Sequence, residues 1–151
     1  MANVDLKLLK KLRDATAASI ADCRAALEET HGDYFKALAE IKKRAVAKAE
    51  KKADRATSAG LVETYIHQGG KVGVLVEVLC ETDFVAKTDE FKSLSREVAM
   101  QIAAMNPKDV ETLLTQEYIR DSSQTIGQLV KGVIGKLGEN IAVKRFVRFE
   151  I

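Results

Sequence analysis

The apolar residues of this 151-residue chain change their period at Gly60, from the three-and-four spacing of helices to the alternation of strands. Beyond it come Leu61-Val62-Glu63-Thr64-Tyr65-Ile66-His67, then Gln68-Gly69-Gly70-Lys71, then Val72-Gly73-Val74-Leu75-Val76-Glu77-Val78-Leu79. Two β-branched runs around a Gly-Gly turn read as a β-hairpin. The second run is apolar on both faces, with Val72, Val74, Val76 and Val78 on one side and Leu75 and Leu79 on the other, and so reads as a central, covered strand.

Upstream of the switch, three short stripes recur at helical spacing: Leu6, Leu9 and Leu12; Ile20, Cys23 and Leu27; Tyr34, Leu38 and Ile41. Ser19 suits the N-cap of the second helix, Gly32 the left-handed residue that ends it, and Asp33 the cap of the third. Stripes this short bury a small core, as expected of a compact three-helix module of the kind used mainly for binding. After Ile41 the chain becomes rich in alanine and lysine, with seven basic and two acidic residues between Lys42 and Arg55. That run reads as a solvated connecting helix. A nucleic-acid contact is the alternative, but no aromatic is interleaved to stack on bases.

Downstream of the hairpin, Thr88 can cap a helix carrying Phe91, Leu94, Val98 and Ile102, and a short helix runs through Val110, Leu113 and Leu114 after Pro107. A further stripe, Ile126, Leu129, Val130, Val133, Ile134 and Leu137, stops at Gly138. Ile141, Val143, Val147 and Phe149 then alternate with Lys144, Arg148 and Glu150 as a last strand, interrupted at Arg145 and Phe146. The expected architecture is α+β: a three-helix module and connecting helix over 1–56, then an antiparallel three-stranded sheet covered by helices over 57–151.

Charge and composition narrow the function. The near balance of 24 basic and 22 acidic residues, net +2, creates no overall field for nucleic acid or an anionic membrane. Cys23 and Cys80 lie far apart, with no Cys or His at metal spacing, and read as buried thiols in a reducing compartment. No signal peptide or membrane span is read, so a cytoplasmic protein is expected. Phosphate loops, nucleophile signatures and metal-ligand sets are also not found, so no cofactor or metal is expected and a binding protein is favoured over an enzyme. An unrecognised enzyme would need a pocket near Glu77 or Glu81.

One stretch stands out between the second strand and the following helix: Glu81-Thr82-Asp83-Phe84-Val85-Ala86-Lys87. An aromatic beside a carboxylate on a connection between rigid elements can be pushed out at a partner, although Phe more often tucks into the core. Together with Leu8-Leu9-Lys10-Lys11-Leu12-Arg13-Asp14-Ala15-Thr16, Asp22-Cys23-Arg24-Ala25-Ala26-Leu27, Gly32-Asp33, the alanine-lysine helix, and Gly138-Glu139-Asn140-Ile141 with Arg145-Phe146, it resembles translation elongation factor Ts, in the same order and over essentially the whole chain. Glycines are frequent in that family around Ala17 and Ser19, where this chain departs from the pattern.

The resemblance implies a guanine-nucleotide exchange factor for elongation factor Tu, the GTPase that carries aminoacyl-tRNA to the ribosome, with a UBA-like N-terminal module. Such a factor binds the GDP form, loosens Mg²⁺ and GDP, and leaves once GTP and tRNA load. By the same resemblance, Thr82, Asp83, Phe84 and Val85 match the segment that dislodges Mg²⁺ in the partner, and Leu12, Arg13, Thr16, Ile20 and Ala21 match positions that contact a helix of the GTPase. A thousandfold loosening of GDP requires roughly 4 kcal/mol at about 1.4 per decade, whereas burying one Phe supplies about 1.5 to 3 kcal/mol. Phe84 therefore needs both parts of the chain docked. The longer family form has two related sheet units and an inserted coiled coil; with one sheet unit, this chain resembles the short form, in which two copies make up the difference, so a homodimer through the sheet is expected.

Overall fold

The computed structural model describes residues 4–151. Its helical module begins with α1 (Leu6–Thr16), capped by the Asp5 carboxylate, which accepts the Lys7 N–H at 2.8 Å. The chain leaves α1 through Ala17 in the left-handed region, φ 50°, a conformation that costs an L-residue energy and costs glycine none. Next comes α2 (Ile20–Glu29), where Ser19 Oγ accepts the Asp22 N–H at 3.0 Å and donates to the Asp22 carboxylate at 2.8 Å. Gly32, φ 82°, reverses the chain and donates its N–H to Leu27 O, as its sequence position leads one to expect. Asp33 then caps α3 (Tyr34–Glu50). Leu9, Leu12, Cys23, Ala26, Leu27, Ala37 and Ile41 form the core of this module.

The third helix and residues 42–50 of the alanine-lysine run prove to be a single helix of 17 residues, with 51–55 forming a turn after it. Nothing between Ile41 and Glu50 breaks a helix, and alanine carries the highest helix propensity. Nor is the run wholly solvated. Ala45 and Ala49 extend the stripe of Ala37 and Ile41 at four-residue spacing, and Ala49 is buried in the second core. Three of the seven basic side chains in the run are paired within the fold: Arg44 with Glu29 at 2.5 Å and Glu40 at 3.1 Å, Lys48 with Asp22 at 3.1 Å, and Arg55 with Glu81 at 3.7 Å.

The sheet is built from β1 (Ala59–Ile66), β2 (Val72–Cys80) and β5 (Ile141–Glu150), in the order β1-β2-β5 and antiparallel throughout. The interruption near Arg145 is a β-bulge: Glu77 faces Arg145 while Val78 faces Val143, leaving Lys144 as the extra residue. One face is covered by α5 (Asp89–Met105), α6 (Val110–Thr115) and α7 (Ile126–Leu137). Val74, Val76 and Val78 join Phe91, Leu94, Val98, Ile102, Leu113, Ile126, Val130 and Ile134 in the second core. The other face is open. The central place of β2 agrees with its sequence; its second face does not, since Leu75 is 46% exposed.

Two small elements have no clear sequence signal: the single turn α4 (Asp83–Ala86), and the hairpin β3 (Glu117–Tyr118) with β4 (Asp121–Thr125). The hairpin is held by polar contacts. Buried Gln101 donates to Glu117 O at 3.0 Å and accepts the Ile119 N–H at 3.0 Å, and Tyr118 donates to Glu97 at 2.5 Å. Burial first, and the Glu97 carboxylate second, push the Tyr118 hydroxyl up to about 12.

The two cores meet where α3 lies along α7. A Cβ on Gly135 would stand 2.6 Å from Ala45 Cβ and 2.8 Å from its Cα, so the helices touch almost backbone to backbone. Gly135→Val is therefore expected to cost about 1 to 3 kcal/mol by overpacking, lowering the melting temperature by roughly 2 to 4 °C for each kcal/mol. Thermal unfolding followed by circular dichroism checks this; an unchanged midpoint would show that the helices separate freely.

Candidate functional site

The corner between β2 and α5 is where the chain projects its most conspicuous side chain. Val85 and Ala86, on α4, are buried against the second core, and between them and Thr82 the turn lifts Phe84 out to 87% exposure. An apolar ring left in water beside two buried neighbours costs hydrophobic free energy that the fold alone does not recover. Asp83 and Thr82 are exposed beside it. Val85, expected in the same segment, is buried and anchors the turn from beneath.

Several hydrogen bonds fix this corner. Thr82 Oγ1 accepts the Val85 N–H at 3.5 Å, and Thr88 Oγ1 donates to Val85 O at 2.7 Å while accepting the Phe91 N–H at the start of α5. From the opposite strand end, the Glu139 carboxylate accepts the Glu81 N–H at 3.1 Å, the Thr82 N–H at 3.0 Å and the Thr82 hydroxyl at 2.6 Å. Glu81 reciprocates, accepting the Asn140 N–H at 2.7 Å. Beneath them Cys80 Sγ donates to Thr82 O at 3.2 Å; burial, and secondly the Glu139 charge, push the thiol pKa up and keep it protonated as a donor.

The second group of expected site residues lies on the helical module. Arg13, Ile20 and Ala21 are exposed, Ile20 to 53%, at the end of α1 and the start of α2. Thr16 is half-buried: its hydroxyl donates to Leu12 O at 2.7 Å and accepts the Ala18 N–H at 3.3 Å, closing the loop between the two helices. Leu12 is fully buried in the module core, so it backs this surface instead of forming it.

A third feature is an open apolar face of the sheet, on the side of β2 where Leu75 and Leu79 alternate with Gly73 and Glu77. The open face of the sheet carries Val62 and Ile66 on β1, Leu75 on β2, and Val147 and Phe149 on β5, exposed to between 40% and 70%. The pairing places Ile66 and Phe149 on either side of Gly73, and Val147 beside Leu75, so these four side chains are contiguous, while Val62 lies beside Glu77. Glu77 and Arg145, paired at 2.6 Å, bound the patch along the strands.

Among the described residues no group of three or more His, Cys, Asp or Glu side chains could hold a metal ion, and no helix is long and apolar enough to cross a membrane. His31 and His67 are exposed, with His67 beside the Tyr65 hydroxyl at 3.2 Å, and Cys23 and Cys80 are buried and free.

An aromatic tip on a fixed turn, together with an uncovered apolar sheet face, marks an α+β protein whose surface is shaped for contact with other macromolecules. Residues 81–151 match the family model described as elongation factor TS. The elongation factor Ts of Nostoc sp. is 48% identical over 151 residues, covering all of this chain and 48% of that protein. Those of Thermoanaerobacter sp. strain X514 and Coprothermobacter proteolyticus are 41% and 42% identical, covering 97% and 98% of this chain and 94% and 98% of theirs. The chain belongs to the elongation factor Ts family. It spans about half the length of the Nostoc protein. The Thermoanaerobacter alignment runs over 192 positions against 151 residues here, so at least 41 residues of that relative face no counterpart in this chain.

Proposed function

We propose that this protein acts in translation elongation as the guanine-nucleotide exchange factor of elongation factor Tu, binding its GDP form in the cytoplasm and promoting release of Mg²⁺ and GDP so that GTP can bind. The carrying observation is Phe84, an 87% exposed ring on a turn whose neighbours are buried, in a chain of the elongation factor Ts family. Exchange of this kind makes and breaks no covalent bond, so the chain needs positioned contacts and no catalytic group. The helical module, 1–56, docks on a helix of the GTPase through Arg13, Ile20 and Ala21, with Thr16 and Leu12 supporting them; the sheet domain, 57–151, delivers Phe84 toward the Mg²⁺ site, with Thr82 and Asp83 beside it. No direct nucleic-acid or membrane contact is part of this function: three of the basic side chains on α3 and the turn after it serve internal ion pairs.

Two copies associate through the open sheet face. Its apolar side chains are out of place in a monomer, and a two-fold axis lets the same patch cover itself.

Release of a fluorescent GDP from elongation factor Tu, followed at increasing concentrations of this protein, tests the docking. Arg13→Ala or Ile20→Ala is expected to raise the half-saturating concentration about tenfold, the effect of removing one well-placed contact, with the maximal rate unchanged. An unaltered half-saturation in both variants would remove this surface from the interface.

A further inference from the structure

We propose that Glu139 is a positioning residue for the exchange site, setting the direction of Phe84 from a position 55 residues away in the sequence; this rests on the exchange-factor function above. The turn that carries Phe84 is only weakly closed by its own bonds. It spans four residues, its own bonds from Ala86 and Lys87 are 3.3 and 3.2 Å long, and its Thr82 cap stands at 3.5 Å. Phe84 packs on little, being 87% exposed. What holds the start of the turn is the Glu139 carboxylate, which takes both backbone N–H groups of Glu81 and Thr82 on Oε2 and the Thr82 hydroxyl on Oε1. Hydrogen bonds to an ionised acceptor are roughly twice as strong as neutral ones, and two fixed amides define a plane that a single contact would not.

The sequence builds this clasp at the end of α7. Gly138 closes the helix in the left-handed region at φ 78°, and that reversal leads directly into Glu139 and Asn140. Asn140 completes the corner: its backbone N–H goes to Glu81 at 2.7 Å, and its buried amide donates to Ala53 O at 3.2 Å and Arg55 O at 2.8 Å. The turn after α3 is thereby tied to the same corner as Phe84.

Hydrogen exchange at the Glu81 and Thr82 amides reads the clasp in the free protein. In Glu139→Ala these amides are expected to exchange about tenfold faster or more, for loss of bonds to a charged acceptor. Glu139→Gln, whose amide oxygen can still accept both N–H groups, is expected to recover at least half of the protection. In GDP release from elongation factor Tu, Glu139→Ala is expected to lower the maximal rate about tenfold at an unchanged half-saturating concentration, and Glu139→Gln to restore most of it. Val130→Ala, in the core of α7, serves as the stability control: it lowers the melting temperature but leaves the amides and the maximal rate as in the wild type. If Glu139→Ala does not fold, Glu139→Asp, one methylene shorter, is read in the same way. Unchanged amide exchange, a rate loss that Val130→Ala reproduces, or a loss confined to half-saturation overturns the proposal. A wild type that leaves GDP release at its spontaneous rate would overturn exchange-factor function instead, while the amides still judge the clasp.

Discussion

A Leu75→Glu variant is expected to run as a monomer at micromolar concentration, where the proposed dimer would give the wild type twice that mass. Leu75 sits on the central strand at the middle of the open face, flanked by Thr64 and Val147, and is 46% exposed, so the substitution disturbs little inside one chain. Between two chains it acts twice, because a two-fold interface brings the same residue from each copy to the same patch. Each carboxylate would have to give up water without a partner, at a cost of several kcal/mol per ion. A rise of at least about a hundredfold in the dissociation constant follows from roughly 3 kcal/mol. Light scattering at micromolar concentration reads the mass, and circular dichroism checks that the monomer remains folded. A wild type that is itself monomeric there, with full exchange activity, would show that the apolar face serves something else.

Phe84→Ala is expected to lower the maximal rate of GDP release by about ten- to a hundredfold, the effect of losing roughly 1.5 to 3 kcal/mol of aromatic burial in the partner. Because the ring is 87% exposed in the free protein, its removal leaves the core intact, and the melting temperature should not fall. Half-saturation should change far less than the rate, since Arg13 and Ile20 stand on a different module. The residual acceleration is informative as well. A thousandfold effect needs roughly 4 kcal/mol, so the variant should retain activity supplied by the docking of both parts. By reciprocity, whatever this protein does to weaken GDP must be matched by the weakening of its own grip when GDP returns. Comparing its affinity for GDP-bound and nucleotide-free elongation factor Tu gives that coupling without kinetics.

Most of the architecture was legible because its signals are local. Gly60, the Gly69-Gly70 turn, the caps at Ser19, Asp33 and Thr88 and the stop at Gly138 all act within a few residues of themselves, and each stands where the sequence places it. What was not legible depends on distant partners. The two faces of β2 differ in sequence only by Gly73 and Glu77 on the Leu75 side, a weak sign beside two leucines, and it is the placement of α5, α6 and α7 that buries Val76 and leaves Leu75 open. Likewise, Ala45 and Gly135 are 90 residues apart and show no sign in sequence that α3 and α7 meet there. The hairpin Glu117–Thr125 lacks alternation because its strength is polar, resting on Gln101 and Glu97 of a helix nearby.

The candidate site divides along the same line. Phe84 was singled out from its setting between strand and helix, and family resemblance supplied its role; the 87% exposure is what no pattern could give, since a Phe at that spacing more often turns inward. The family resemblance groups Leu12 and Val85 with the site residues, and each proves to be buried beneath a neighbour that is exposed. Glu139 is visible in sequence only as part of the Gly138-Glu139-Asn140-Ile141 motif and carries no sign of its contacts there: an acidic residue after a helix stop is unremarkable until a second chain reversal is folded against it.

The most direct test is the rate at which a fluorescent GDP leaves elongation factor Tu when excess unlabelled nucleotide is added, with and without saturating amounts of this protein. Acceleration that saturates with concentration, and that Phe84→Ala reduces without abolishing, is the expected result. Release at the spontaneous rate at every concentration would contradict exchange-factor function outright, and equal acceleration by Phe84→Ala would remove the exposed ring from the mechanism.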